Sequence, residues 1–169
     1  IKKFIFSSTF TTYGDPQKKT GKMSENDPCY PKSMYGISKK CSEEYVQSLC
    51  VKNKIQWTIL RLFNVYGPGQ NINRSDQGIV GIFISLMKRK NIIEITGSLD
   101  RFKDLIYIDD VVDAFILCLD KKANNQIFNV GTGKKTTISN LLKNINNIFE
   151  PNNKKDIKVL SAPHGEIKG

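Results

Sequence analysis

Apolar positions along the chain follow two rhythms. Short, dense runs rich in β-branched and aromatic residues occur at Lys3–Ser8, Gln56–Phe63, Ile92–Thr96, Leu105–Ile108, Ile127–Val130 and Ile157–Ser161, and each predicts a strand. Between them lie longer stretches with helical spacing. From Ser33 to Lys52, Ile37, Cys41, Tyr45 and Leu49 recur every four residues, joined by Val46 and Cys50. This pattern predicts a helix that lays that stripe on the core, with Tyr35 and Lys39 beside the stripe. Ser75–Asp76 can cap a second helix to about Lys90, with Ile79, Val80, Phe83, Ile84 and Met87 on one side. Asp109–Asp110 can cap Val111 to Lys121, and Thr136 or Thr137 a last helix through Phe149.

Polar, Gly- and Pro-bearing segments separate these elements. Residues 15–32 read as a loop, Asn64–Gly69 as the end of a strand, 97–103 and Gly131–Gly133 as turns, and 152–155 as a further loop. Alternation of strand and helix throughout argues an α/β fold. The Gln56–Phe63 run is apolar on both faces except at Arg61. Such a strand belongs in a parallel sheet covered by helices, entered through a right-handed βαβ crossover. In sheets of this kind ligands bind beyond the carboxyl ends of the strands, which draws interest to the residues after Ser8 and after Phe63.

Composition narrows the classes. The 169 residues are 39% hydrophobic, enough for a real core, and contain no apolar run long enough to cross a bilayer. Net charge is +10, but the lysines fall in short separate runs, the signature of a solvated surface rather than a nucleic-acid footprint. Cys29, Cys41, Cys50 and Cys118 form no C-x-x-C pair and the one histidine, His164, stands apart, so no metal site is expected and a reducing, cytoplasmic setting is. The Gly131-Thr-Gly-Lys134 sequence lacks P-loop spacing and reads as a turn.

Candidate chemistry centres on Tyr35 and Lys39. Four residues apart at a helix start, they share one face, and an ammonium beside a phenol favours the phenolate. Such a tyrosine can move a proton to or from a hydroxyl.

Several segments together resemble the extended short-chain dehydrogenase/reductases of the NAD-dependent epimerase/dehydratase group. They are Phe6-Ser-Ser-Thr-Phe-Thr-Thr-Tyr-Gly14, Pro31-Lys-Ser-Met-Tyr-Gly-Ile-Ser-Lys39, Leu60-Arg-Leu-Phe-Asn-Val-Tyr-Gly-Pro-Gly69, Lys103-Asp-Leu-Ile-Tyr-Ile-Asp-Asp-Val-Val112 and Phe128-Asn-Val-Gly-Thr-Gly133. The resemblance implies the C-terminal part of a Rossmann-like doubly wound parallel sheet plus a smaller α/β substrate-binding subdomain. Residues 1–67 would be the second half of the NAD-binding domain. Residues 68–169 would be mainly substrate-binding, interleaved with Rossmann elements near 105–133. It implies Tyr35 as acid/base, Lys39 as the residue that holds the nicotinamide ribose, and Thr9 as hydrogen-bond partner of the reacting oxygen. Ser7 and Phe63 would adjoin the cofactor, NAD, and Asn64, Gln77 and Lys103 would contact the nucleotide of a sugar donor such as a UDP-hexose.

Departures from the family pattern sharpen the expectation. Phe10 and Thr11 stand where related dehydratases and decarboxylases carry acids, which favours an epimerase, expected to act at C4; the alternative is a reductase, 5-epimerase, dehydratase or non-catalytic binding protein of the same fold. Lys103 replaces the usual arginine, with Arg101 nearby, and Gly165-Glu166 after Pro163 departs from the usual substrate-pocket ending. The family's glycine-rich pyrophosphate turn does not occur among these residues, so the chain reads as a fragment, inactive alone, of a protein about twice as long. The expected partners are a nucleotide sugar and, for the parent, a second copy in a homodimer; neither nucleic acid nor a membrane is expected.

Overall fold

A computed structural model of the chain describes residues 1–15, 22–72, 78–89, 92–149 and 155–161. Its elements in order are β1 Lys3–Thr9, α1 Met34–Lys52, β2 Gln56–Leu62, β3 Asn64–Tyr66, α2 Ile79–Arg89, β4 Ile92–Thr96 and β5 Phe102–Lys103. β6 Leu105–Tyr107, α3 Ile108–Leu117, β7 Gln126–Val130, β8 Thr136–Thr137, α4 Ile138–Phe149 and β9 Asp156–Leu160 follow. Short 3-10 turns occupy Phe10–Tyr13 and Lys121–Ala123. The chain divides into two compact units, Ile1–Phe63 with Ile106–Gly133, and Asn64–Leu105 with Lys134–Gly169.

The first unit is built on a parallel sheet ordered β1-β2-β7. Register sets its rows. Phe6 pairs with Ile59 and Ile59 with Ile127; two residues on, Ser8 pairs with Arg61 and Arg61 with Asn129. Side chains two apart on a strand share a face, so an apolar row is followed on that face by a polar one. α1 lies on it. Val46 and Cys50 pack with Phe6, Trp57, Ile59 and Ile127 over the apolar row, and Glu43, fully buried, meets the polar row.

The inward face of α1 therefore keeps only Val46 and Cys50 of the predicted stripe. Ile37, Tyr45 and Leu49 are 41%, 70% and 56% exposed and Cys41 is exposed too, whereas Gly36, Glu43 and Cys50 are buried. Apolar spacing marks a face that some surface covers; it does not say that the covering surface belongs to the same unit.

In the second unit, α2 and α4 pack over the parallel pair β4–β9. Ile138, Leu141, Leu142 and Ile145 stand at i, i+3, i+4 and i+7 and join Phe83, Met87, Ile93 and Ile95 in one core. β5 pairs antiparallel with β8, Phe102 against Thr137 and Lys103 against Thr136.

Other local differences have simple causes. Two segments read as turn and strand end hold the short strands β5 and β3, too brief to show a period. Asp109 and Asp110 do not cap α3; the helix begins at Ile108 after Tyr107, and both acids sit in its first turn, where the helix dipole still favours them. Thr137 does cap α4, accepting from the Asn140 N–H at 3.1 Å. Gln77, the Ser75–Asp76 cap, Pro163 and Gly165–Glu166 lie outside the described residues. Among the described residues no helix is long and apolar enough to cross a membrane, and no cluster of His, Cys, Asp or Glu could hold a metal ion.

Candidate active site

The site is assembled where α1 begins. Ser33 is extended at φ −97°, ψ 149°, and its hydroxyl accepts from the Gly36 N–H at 3.0 Å, satisfying one of the amides orphaned at a helix start. Gly36 is buried, and a Cβ there would stand 2.7 Å from the Thr11 carbonyl oxygen. Glycine thus lets the first turn of α1 abut the 3-10 turn that follows β1. Tyr35 and the end of β1 are brought together by that close approach.

Tyr35 is 55% exposed. The Lys39 ammonium lies 5.9 Å from the Tyr35 ring centroid and 4.9 Å from that of Phe6, and donates to the Ser7 carbonyl at 2.9 Å. Thr9 is buried, and its hydroxyl oxygen accepts from the Thr11 N–H at 3.3 Å and the Thr11 hydroxyl at 3.2 Å, which leaves the Thr9 O–H to donate elsewhere. Phe10, one residue on, stacks on Phe63 with centroids 5.1 Å apart and planes at 18°. Ser7, Thr9, Tyr35, Lys39 and Phe63 all fall in the first unit. Ser7 takes part through its carbonyl; its side chain is exposed.

Asn64 and Lys103 belong to the second unit. The backbone and side-chain N–H groups of Asn64 both donate to the Asp104 carbonyl, at 3.1 and 3.0 Å, so the side chain still offers its acceptor oxygen and a second N–H. Burial, and then the nearby Arg101 charge, pull the Lys103 pKa below the ordinary lysine value.

Beneath the site runs a polar network. Arg61, 2% exposed, grips Glu43 bidentately, Nε to Oε1 at 3.0 Å and Nη2 to Oε2 at 2.7 Å, and the Ser8 hydroxyl donates to the same Oε1 at 2.5 Å. Burial by itself disfavours the Arg61 charge, but the hydrogen bonds and Coulombic pull of Glu43 and Tyr13 raise its pKa above the ordinary value. The guanidinium lies 4.7 Å from the Tyr13 ring centroid, and the Tyr13 hydroxyl donates to Asn129 Oδ1 at 2.8 Å. Burial raises the Tyr13 pKa despite Arg61, so the phenol is neutral and a donor. The Asn129 N–H donates to Glu25 Oε1 at 2.8 Å, and Arg61 also donates to the Glu25 carbonyl at 3.4 Å, fastening the loop before α1 to the ends of β2 and β7. Arg61 was the visible signal, since a lone charge in a doubly apolar strand requires a buried acid. Glu43, which looks like one more surface acid on a charged helix, gave none.

The Tyr35 hydroxyl and the remaining Lys39 ammonium hydrogens are donors on a surface partly open to solvent. The arrangement can hold a polyhydroxylated ligand and exchange one proton with it.

Known proteins carry the same frame. Over 168 residues, 99% of this chain and 51% of the relative, the chain is 34% identical to dTDP-4-dehydro-6-deoxyglucose reductase of Escherichia coli. It superposes with a TM-score of 0.89 and 32% identity on UDP-N-acetylglucosamine 4-epimerase from Methanobrevibacter ruminantium in complex with UDP-N-acetylmuramic acid, covering 99% of this chain and 53% of that one. UDP-glucose 4-epimerase of Thermus thermophilus in complex with NAD gives a TM-score of 0.84 at 27% identity, with 99% and 54% covered. The chain thus spans about half the length of these proteins. With residues 1–131 matching the family's own model, the chain belongs to the NAD dependent epimerase/dehydratase family.

Proposed function

We propose that the whole protein is an NAD-dependent epimerase of nucleotide sugars, acting at C4 of a UDP-hexose through a transient 4-keto sugar. The observation that carries the reading is the linked set Ser7–Lys39–Tyr35 beside Thr9, with no carboxylate following Thr9. Phe10 is stacked on Phe63, and the Thr11 hydroxyl is bonded to Thr9. Neither residue can supply the additional acid that elimination of water requires, whereas epimerisation at C4 needs only one proton acceptor and its return.

In this reading Tyr35 and Lys39 hold the nicotinamide ribose, with Ser7 and Phe63 adjoining it. The cofactor, when bound, takes hydride from the sugar and gives it back to the opposite face. Tyr35 accepts the proton of the 4-hydroxyl and later returns it. Lys39 stabilises the phenolate while anchored to β1, and the Thr9 hydroxyl donates to the same sugar oxygen. Asn64, Gln77 and Lys103 serve the nucleotide, Lys103 as a point charge on phosphate rather than the bidentate fork an arginine would give. The exposed Ile37, Tyr45 and Leu49 face of α1 is the surface on which a second copy docks to form a homodimer.

A nucleotide-sugar reductase is the second reading, favoured by the E. coli relative that spans 99% of this chain. Product analysis separates them. The protein with NAD is incubated with UDP-glucose, UDP-N-acetylglucosamine and UDP-glucuronate, and the sugars are read by NMR. A mixture of C4 epimers without net nicotinamide turnover is expected for one of the three; stoichiometric consumption of reduced nicotinamide by a 4-keto sugar instead would overturn the epimerase.

A further inference from the structure

We infer that Glu43 and Ser8 are positioning residues for the Tyr35–Lys39 pair, acting as a lock that fixes how α1 lies along β1. The inference deepens the reading of Tyr35 and Lys39 as the reacting centre and rests on it. Two consecutive residues of β1 connect to α1, and a third presents a hydroxyl beside them. The Ser7 carbonyl accepts from Lys39, the Ser8 hydroxyl donates to Glu43, and Thr9 presents its own hydroxyl. On α1 the partners Lys39 and Glu43 stand one turn apart, and Tyr35 precedes Lys39 by one turn on the same side of the helix. A slide or roll of α1 along β1 would have to break the Ser8–Glu43 bond as well as the Lys39–Ser7 bond.

The chemistry of the lock favours one arrangement. Glu43 Oε1 receives both Ser8 Oγ, at 2.5 Å, and Arg61 Nε, at 3.0 Å, while Oε2 takes Arg61 Nη2. Charge-assisted bonds of this kind are short and directional, and the planar fork of arginine accepts only a narrow range of carboxylate orientations. Parallel register places Ser8 opposite Arg61, so the two donors stand side by side and converge on one carboxylate. Stability alone does not explain the choice, because a buried ion pair is often matched or bettered by apolar residues of similar volume. One helical turn further on, α1 is held by such residues, Val46 and Cys50 against Phe6 and Ile59. Apolar contacts tolerate sliding; a forked carboxylate does not. The lock is placed in the turn next to Lys39, where sliding would matter for catalysis.

Ser8→Ala is the test, since it removes one bond and leaves the Glu43–Arg61 pair intact. Two readouts are taken. In the chain itself, acetic anhydride labelling of Lys39 is measured by mass spectrometry against Lys52 at the far end of the same helix. In the NAD-loaded whole protein, kcat and KM for the sugar nucleotide are measured. Ser8→Ala is expected to raise relative labelling of Lys39 by about threefold or more. It should lower kcat by about tenfold or more with KM within about twofold, the pattern of a misplaced reacting group. Ser8→Thr, which keeps the hydroxyl, should restore both. Should Ser8→Ala fail to fold, Glu43→Asp, which keeps the charge but shortens the reach, is read the same way. Labelling and kcat unchanged, or a kcat loss that merely follows the unfolded fraction, would overturn the lock. Tyr35→Phe, assayed in parallel, tests the underlying reading separately: if it turns over normally the Tyr35 assignment fails, while Lys39 labelling still decides whether Ser8 fixes the helix.

Discussion

Replacing Gly36 by alanine sets two effects of opposite sign against each other. Gly36 is in the first turn of α1, and in an open helix the exchange to alanine stabilises by about 1 kcal/mol. Here the new Cβ would lie 2.7 Å from the Thr11 carbonyl oxygen, 3.1 Å from Pro31 Cβ and 3.2 Å from Ser33 Oγ, where ordinary contact begins at 3.4 Å. The nearest atom is backbone and cannot rotate away, so α1 or the 3-10 turn must move by roughly 0.7 Å, the shortfall from ordinary contact. Overpacking of this kind costs about 1–3 kcal/mol, which outweighs the propensity gain. The expected net is a destabilisation of about 1 kcal/mol, or a loss of about 2–4 °C in Tm for a chain of this size. Activity should suffer more than stability, because the displaced turn carries Tyr35 and misplacement approaching 1 Å can cost about 10²-fold in rate. Thermal melting followed by circular dichroism, with turnover of the NAD-loaded protein beside it, reads both. A Gly36→Ala variant with raised Tm and unchanged turnover would refute the close approach as the reason for glycine.

Lys103 gives a pH prediction. Its lowered pKa means that the unfolded chain holds the proton more tightly, so stability rises as pH climbs through the window between the lowered value and the ordinary 10.5. Lys103→Met should abolish that rise in Tm and weaken retention of a UDP-sugar at neutral pH; a variant that kept the rise would show that another group titrates. At the outer face of α1, Leu49→Asp in the whole protein should shift the species seen by light scattering from dimer to monomer while leaving Tm nearly unchanged, and an unaltered dimer would place the interface elsewhere.

Sequence reasoning recovered most of the frame because the frame is local. Apolar runs of four to eight residues marked β1, β2, β4, β7 and β9, and helical spacing from Ser33 to Lys52 marked α1. The adjacency of Tyr35 and Lys39 was legible for the same reason, since one helical turn fixes it, whereas Ser7 entered only through the family resemblance. What escaped was long-range. Glu43 looks like a solvated acid until β1 and β2 set Ser8 and Arg61 beside each other. Ile37, Tyr45 and Leu49 have the spacing of a core stripe and yet lie exposed, because periodicity reports that a face is apolar and not what covers it. Strands of two or three residues, β3, β5 and β8, are defined by their partners and hold too few positions to carry a pattern, whereas β6 lies within the Leu105–Ile108 run and was legible.

Turnover by Tyr35→Phe in the NAD-loaded whole protein tests the proposed chemistry most directly. The ring and its neighbour Lys39 stay, and only the phenolic oxygen goes. Interconversion of the C4 epimers should fall by about 10²–10⁴-fold, the usual worth of a positioned acid/base, while binding of UDP, measured by calorimetry, stays within about threefold. Epimerisation at the parent rate with the phenol removed would contradict the account.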